Sequence, residues 1–258
     1  MEDAQKKNYI AYSLWGDKAI YNTGMLRNIA QANTIYPGWQ VVVYYDNTVP
    51  SQSLEQIRAA GAHPIDMTGG IYGMFWRFLA TDLPHCNRVI FRDSDSRLSE
   101  RERLAVNEWI ANDHAIHIMR DHPYHLDPVD HSPHYILGGM WGIKGGLVNM
   151  TTLIDHYAAK KELSYGSDQV FLNQIYDLFR DSATIHDEFF SGLPFPQKRK
   201  GYRFVGERID TDEKPAGDDW KAVRAFYADK KPLNILIRKI KKLIRGLFRQ
   251  LNPTNVFS

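Results

Sequence analysis

Residues 88–97 read Arg88-Val89-Ile90-Phe91-Arg92-Asp93-Ser94-Asp95-Ser96-Arg97, an apolar run that ends in two carboxylates one residue apart. Val89, Ile90 and Phe91 are strand formers, and a run without polar alternation is the pattern of a strand buried on both faces. In an extended chain Asp93 and Asp95 leave the strand end on the same side, with Ser94 opposite. Two carboxylates so placed make a hard-oxygen site suited to Mg²⁺ or Mn²⁺, with phosphate and water completing the shell. A divalent cation there neutralises a departing diphosphate. The plainer reading is a solvated strand end in which Arg92 and Arg97 pair the acids.

Two other uses of an Asp-x-Asp triplet fail on the letters. An EF-hand loop needs Gly at its sixth position and Glu at its twelfth; these are Leu98 and Leu104. A haloacid-dehalogenase-like phosphatase carries the triplet after its first strand, with Thr or Val two residues on. Here three candidate strands precede it and the residue is Arg97.

Upstream, Tyr9–Trp15 and Trp39–Tyr45 are further apolar strands, and His63–Met67 is a weaker one. Ala19–Tyr36, Ser53–Ala60 and Tyr72–Leu83 read as helices, separated by Gly16-Asp17, Pro37-Gly38 and Gly61. Downstream, Ser99 and Glu102 predict a capping box on a helix to about Asn112, followed by a strand at Ala115–Met119. This βαβ alternation predicts an α/β protein, a mostly parallel sheet with helices on both faces. Ligands are then expected at the carboxyl ends of the strands. Asp121–Tyr135 is a His-, Pro- and Asp-rich loop, and Ile136–Ile143, with Gly138-Gly139, reads as a bulged or closely approached strand. Helices are predicted near Val148–Lys161 and Asp168–Phe179, and residues 183–220 as short strands and loops.

The chain has 258 residues, 43% of them hydrophobic and 24% charged, enough for one sizeable core. Its single cysteine, Cys86, excludes an internal disulfide and suits a reducing compartment. Met1–Asn8 has no apolar secretory core, and no uncharged run is long enough to span a bilayer. A cytoplasmic location is therefore expected. The charge is uneven. Residues 230–258 hold eight basic residues and no acid, so a net charge of +2 leaves the first 229 at −6. The expected division is a catalytic domain at 1–229 and a basic tail at 230–258. Between Leu233 and Leu251, nine apolar residues fall in an arc of about 140° at helical spacing, with the basic residues opposite. Such a helix lies in a lipid interface, each cation near an anionic surface contributing about 1 kcal/mol. That predicts a peripheral protein on the inner face of the cytoplasmic membrane. The acidic body argues against nucleic-acid binding.

In element order, residues 8–220 resemble the GT-A glycosyltransferases, Rossmann-like enzymes with a nucleotide-binding half and a DxD metal site. Phe75-Trp76-Arg77-Phe78-Leu79, followed by the Arg88–Asp95 strand, is similar to their helix-then-DxD unit. The resemblance implies that Asp93 and Asp95 hold the metal, that Ser94 lies at the donor, and that Arg77 approaches the donor phosphates. A salt bridge is the plainer role for Arg77. Ile136–Gly142 resembles the family's glycine-rich strand, where Gly138 and Gly139 let a sugar approach the main chain. Ser167-Asp168-Gln169 resembles a helix start at the sugar site, implying that Asp168 and Gln169 contact donor hydroxyls or that Asp168 acts as general base. A first-turn carboxylate also stabilises the helix dipole without any further role. The third metal ligand implied is His186 or Glu207. The HxxGxxKPW ending of such enzymes is only echoed by Glu213-Lys214-Pro215 and Trp220.

Six of ten histidines lie between 114 and 134, with His122, His125, His131 and His134 as two HxxH pairs. A zinc site lacks cysteine support. The loop is expected to line an acceptor cleft, where Asp121 or His122 deprotonates the acceptor hydroxyl. The expected activity is transfer of a sugar (the hexosyltransferase class) from a nucleotide-sugar donor to a glycan. A lipid-linked bacterial surface polysaccharide such as O-antigen or capsule is the expected acceptor. The alternatives are a metal-dependent phosphohydrolase or nucleotidyltransferase using the same aspartates, and a non-catalytic membrane adaptor.

Overall fold

The computed structural model describes residues 6–125, 134–190 and 192–229. The expected amphipathic helix Leu233–Leu251, and His131 of the histidine loop, lie outside the described residues. The chain divides into two compact units, Met1–Gly217 and Asp218–Ser258; in the second, the described element is the helix Trp220–Asp229.

The first unit is built on a seven-stranded sheet: β1 (Lys7–Leu14), β2 (Gln40–Tyr45), β3 (His63–Asp66), β4 (Cys86–Phe91), β5 (Ile116–Arg120), β6 (Trp141–Lys144) and β7 (Ala183–Asp187). The spatial order is β3-β2-β1-β4-β6-β5-β7. β6 alone runs against its neighbours, antiparallel to both β4 and β5; the remaining pairings are parallel. The mostly parallel α/β sheet read from the sequence is present. The chain winds outward from β1 in both directions, and that reversal opens a crevice at the carboxyl ends of β1 and β4.

Both faces are covered, which is why the strands read as continuous apolar runs. Ile10, Tyr12 and Leu14 face a core shared with helices α1 (Ala19–Ile35), α2 (Ser51–Ala59) and α3 (Glu100–Asn112). Tyr9, Ala11 and Phe91 face the other core, under α4 (Met150–Ala158), α5 (Ser167–Phe179) and the 3-10 helix Gly73–Asp82. There Phe91 and Trp141, cross-strand partners, bring their rings to 4.4 Å. Burying each such side chain contributes about 1.5–3 kcal/mol.

Three local expectations change. The helix expected over Tyr72–Leu83 is a 3-10 helix. Its period of three sets Phe75 and Phe78 on one buried face, edge to face at 6.3 Å. The strand expected over Ile136–Ile143 shortens to β6, because Met140 donates to the Leu137 carbonyl at 2.9 Å and closes a turn over Gly138-Gly139. The capping box is half formed. Ser99 accepts from the Glu102 amide at 3.3 Å, but the buried Glu102 carboxylate turns inward to Arg92 and to the Tyr36 hydroxyl, each at 3.1 Å.

Candidate active site

β4 ends at Phe91, and Asp93–Ser96 form a turn beyond it. The Asp93 carbonyl accepts from the Ser96 amide at 3.1 Å and from its hydroxyl at 2.9 Å. The two aspartates are thus brought together by a turn rather than by strand alternation. Asn28 on α1 clamps the turn: its amide donates to Ser94 O (3.2 Å) and Ser96 O (2.9 Å), and it accepts from Leu98 N (3.3 Å). Gly24 makes the close approach of α1 possible, since a Cβ there would overlap the Ser94 carbonyl. Ser94 is buried within this clamp. The Asp93 side chain is 46% exposed, whereas Asp95 is buried. Burial, then the neighbouring charge of Asp93, pushes the Asp95 carboxyl up to about 6. Exposed Arg208 lies close enough to pull it partly back.

Neither arginine of the plainer reading pairs these acids. Arg92 is buried against Glu102, and Arg97 reaches Glu213 at 2.9 Å and the Ser96 carbonyl at 2.8 Å. Arg77 is the partner. It is buried and donates to Asp93, to Asp168 at 3.3 Å and to the Arg92 carbonyl at 3.3 Å. Its backbone amide is pinned to Ser13 Oγ of β1 at 3.0 Å. Arg77 is therefore a buried bridge between two carboxylates rather than a surface salt bridge.

Asp168 sits in the first turn of α5 with its side chain 1% exposed, and burial raises its carboxyl above the usual range despite Arg77. Its Oδ1 is buried and meets no donor at full hydrogen-bond geometry, the Gln169 amide approaching the carboxyl only loosely. Leaving an acceptor so costs about 1–3 kcal/mol. Gln169 stands half-buried beside it. Because β6 is antiparallel to β4, its amino end meets the carboxyl end of β4, and this brings Gly138-Gly139 onto the cluster. A Cβ on Gly139 would overlap the Asp93 carboxylate; one on Gly138 would overlap Arg77 and Asp168. The glycines are needed by these charged side chains.

Beside Trp76, a cavity of about 290 Å³ opens at the carboxyl ends of β1, β2 and β3. Trp15 and Tyr72 on its wall are 44% and 40% exposed, large apolar faces left to solvent, and Asp46 and Asn47 add polar groups. Trp15 meets Trp76 edge to face at 6.0 Å. The sequence reading passed over Trp15, Asn28, Tyr72 and Arg208. Trp15 was legible as the aromatic residue that ends the first strand.

The other sequence candidates lie elsewhere. Asp121 is fully buried, holding Arg101 (2.8 and 2.9 Å), Arg199 (2.6 Å) and the Val205 amide (2.9 Å). A carboxylate so saturated anchors two arginines and lies apart from the Asp93–Asp95 pair. His122 accepts from the Tyr124 amide at 3.2 Å and packs on Phe204 at 4.7 Å. It does not join the aspartates. Neither expected third metal ligand joins them. His186 is buried with both ring nitrogens engaged, Nε2 to Glu108 (2.8 Å) and Nδ1 to His117 (2.9 Å). Glu207 pairs with Arg203, although its neighbour Ile209 donates to the Asp95 carbonyl at 2.7 Å. Among the described residues, no group of three or more His, Cys, Asp or Glu side chains is arranged to hold a metal.

No protein-family model matches the chain, and no curated protein matches it. Several solved structures are similar in layout. A putative glucose-1-phosphate thymidylyltransferase from Bacillus anthracis has 11% identity and a TM-score of 0.47, covering 72% of this chain and 87% of that one. The glycosyltransferase GlyE of Streptococcus pneumoniae has 17% identity and a TM-score of 0.43, covering 70% of this chain and 45% of that one. The galactosyltransferase LgtC has 12% identity and a TM-score of 0.44, covering 69% and 73%.

Proposed function

We propose that the chain is a metal-dependent glycosyltransferase of GT-A type that moves a sugar from a nucleoside-diphosphate donor to a glycan acceptor. The observation that carries this reading is the under-satisfied Oδ1 of Asp168, buried beside Arg77 and Asp93 in a glycine-lined crevice. A buried acceptor without a well-placed donor is suited to a hydroxyl-rich ligand.

Asp93 and Asp95 fit a divalent cation. They are two oxygen ligands held together by a turn, one of them with its proton affinity raised by burial and then by the other's charge. Mn²⁺ or Mg²⁺ bound there would supply charge neutralisation for the diphosphate leaving group, and the shortage of protein ligands matches a metal completed by phosphate and water. Arg77 fixes the rotamer of Asp93 and holds Asp168 at the sugar. Trp15 and Tyr72 flank the cavity for the nucleoside, and Asp46 and Asn47 supply its polar contacts. Arg208 adds an exposed cation beside Asp95. Asp168 takes a donor-sugar hydroxyl on Oδ1, with Gln169 beside it.

The acceptor and its location rest on the sequence alone. A lipid-linked glycan at the inner membrane face suits the basic amphipathic stretch 233–251. Among the described residues no helix is long and apolar enough to cross a membrane.

The test is thermal denaturation of the full chain with UDP, GDP, CDP or ADP, with and without Mn²⁺. A metal-dependent rise in midpoint with one nucleotide is expected, since binding to the native state stabilises by mass action. No rise with any of them at millimolar concentration would refute the reading. Release of pyrophosphate from a nucleoside triphosphate would move the chain to the nucleotidyltransferases.

A further inference from the structure

A second cavity, about 300 Å³, adjoins the residues that follow the Asp93–Ser96 turn, between the start of α3 and residues 197–209. Five cations line it: Arg97, Arg101, Lys198, Lys200 and Arg203. The two carboxylates on its wall are already engaged, Glu100 with Arg103 and Glu207 with Arg203. Lys198 and Lys200 are exposed. Neither forms an ion pair among the described residues.

The cavity is a built feature, not a chance meeting of surface lysines. Asp121 constructs it from beneath. Its two oxygens tie Arg101 on α3 to Arg199 and to the Val205 amide, so the basic 197–205 segment is fastened to the helix. Arg101 also donates to the Gln197 carbonyl and pairs with Glu188 at 2.9 Å. The wall shared with the candidate active site is short. Arg97 lines the cavity while donating to Ser94 O and Ser96 O, and Ile209 lines it while donating to the Asp95 carbonyl.

We infer that this cavity binds a phosphate or diphosphate group, distinct from the donor diphosphate, and seats a phosphate-bearing acceptor beside the transfer site. Arg97, Arg101 and Arg203 are held by Glu213, by Asp121 with Glu188, and by Glu207, so they shape the wall, while Lys198 and Lys200 bring the uncommitted charge that a phosphate oxyanion takes up. The role as acceptor subsite rests on the transferase reading; the phosphate site itself does not.

The experiment is isothermal titration of the full chain with inorganic pyrophosphate in EDTA, which removes any metal-held phosphate at Asp93 and Asp95. Saturable binding is expected, weakened about tenfold or more by Lys198→Glu/Lys200→Glu, since a charged hydrogen bond contributes about 1.5–3 kcal/mol. Asp93→Asn should leave it in place. Both lysines are exposed, so the double variant keeps its fold, which its melting temperature verifies. No saturable binding, or equal affinity in the double variant, overturns the proposal. Farnesyl diphosphate displacing pyrophosphate more tightly than a soluble sugar phosphate assigns the group to a lipid carrier. The reverse order assigns it to a soluble phosphorylated glycan, and either order supports the site. If metal-dependent nucleotide binding fails on the same samples while pyrophosphate still binds, the transferase reading falls and the phosphate site stands.

Discussion

Gly138 and Gly139 are adjacent, yet substituting alanine at each should have opposite consequences. Neither has a left-handed φ, so alanine meets no backbone strain, and it gains about 0.4–1 kcal/mol from a stiffer unfolded chain. The cost lies in what the new Cβ meets. At Gly139 it overlaps the Asp93 carboxylate, whose side chain is 46% exposed and can swing into solvent. That places the strain near the low end of overpacking, about 1 kcal/mol. At Gly138 it overlaps Arg77 and Asp168, which are 7% and 1% exposed and have nowhere to move. That places the strain near the upper end, about 3 kcal/mol. For a unit of this size each kcal/mol lowers the melting temperature by about 2–4 °C. Gly139→Ala should therefore melt close to the parent, and Gly138→Ala, at a net cost of about 2–2.6 kcal/mol, about 4–10 °C lower. Metal-dependent nucleotide affinity should show the cost of Gly139→Ala, falling about tenfold or more because a displaced Asp93 no longer holds the cation. Differential scanning fluorimetry reads the first quantity and calorimetric titration with Mn²⁺ the second. Gly139→Ala binding within about twofold of the parent would refute the placement of Asp93 as a ligand. Equal melting temperatures for the two variants would refute the rigidity assigned to Arg77 and Asp168.

Trp15→Ala should raise the dissociation constant for the preferred nucleoside diphosphate about tenfold, since stacking on an aromatic face contributes about 1–3 kcal/mol. It should leave stability nearly unchanged, and unaltered affinity in a titration would remove the cavity from the nucleoside site. Asp121→Asn should lower the urea-derived stability by about 3–5 kcal/mol, because two buried arginines lose their shared counter-charge. Native stability with abolished transfer would instead restore Asp121 as a base. Burial holds the His117 and His125 imidazoles well below their usual range, so both stay neutral in the fold. Above pH ~6.5 folded and unfolded states are alike and nothing is lost; below it the unfolded chain takes up protons the fold refuses, so stability falls by up to about 1.4 kcal/mol per pH unit for each histidine. Urea titrations at pH 7.5 and 5.5 should show this fall, and His117→Gln should reduce it; an unchanged slope would contradict the burial of that ring.

The sequence by itself determined the layers, most of the strands and the acidic triplet at the end of one of them. Runs such as Val41–Tyr45 and Val89–Phe91 have no polar alternation because both sheet faces are covered, and burial on two faces is a local property of composition. The Asp93-Ser94-Asp95 triplet was legible for the same reason, as charge placed directly after such a run. What the tertiary structure decided was which charges meet. Arg92 and Arg97 are neighbours of the triplet in sequence, yet they serve Glu102 and Glu213, while Arg77, sixteen residues from Asp93, bridges it to Asp168 ninety-one residues away. Asp121 and His186 look like site residues by type, but burial commits one to Arg101 and Arg199 and the other to Glu108 and His117. A buried ionisable group takes whatever counter-charge the packing of distant elements presents. The reversed direction of β6 set Gly138 and Gly139 against the carboxylates, and strand direction follows from how the chain crosses the sheet, which no window of residues records.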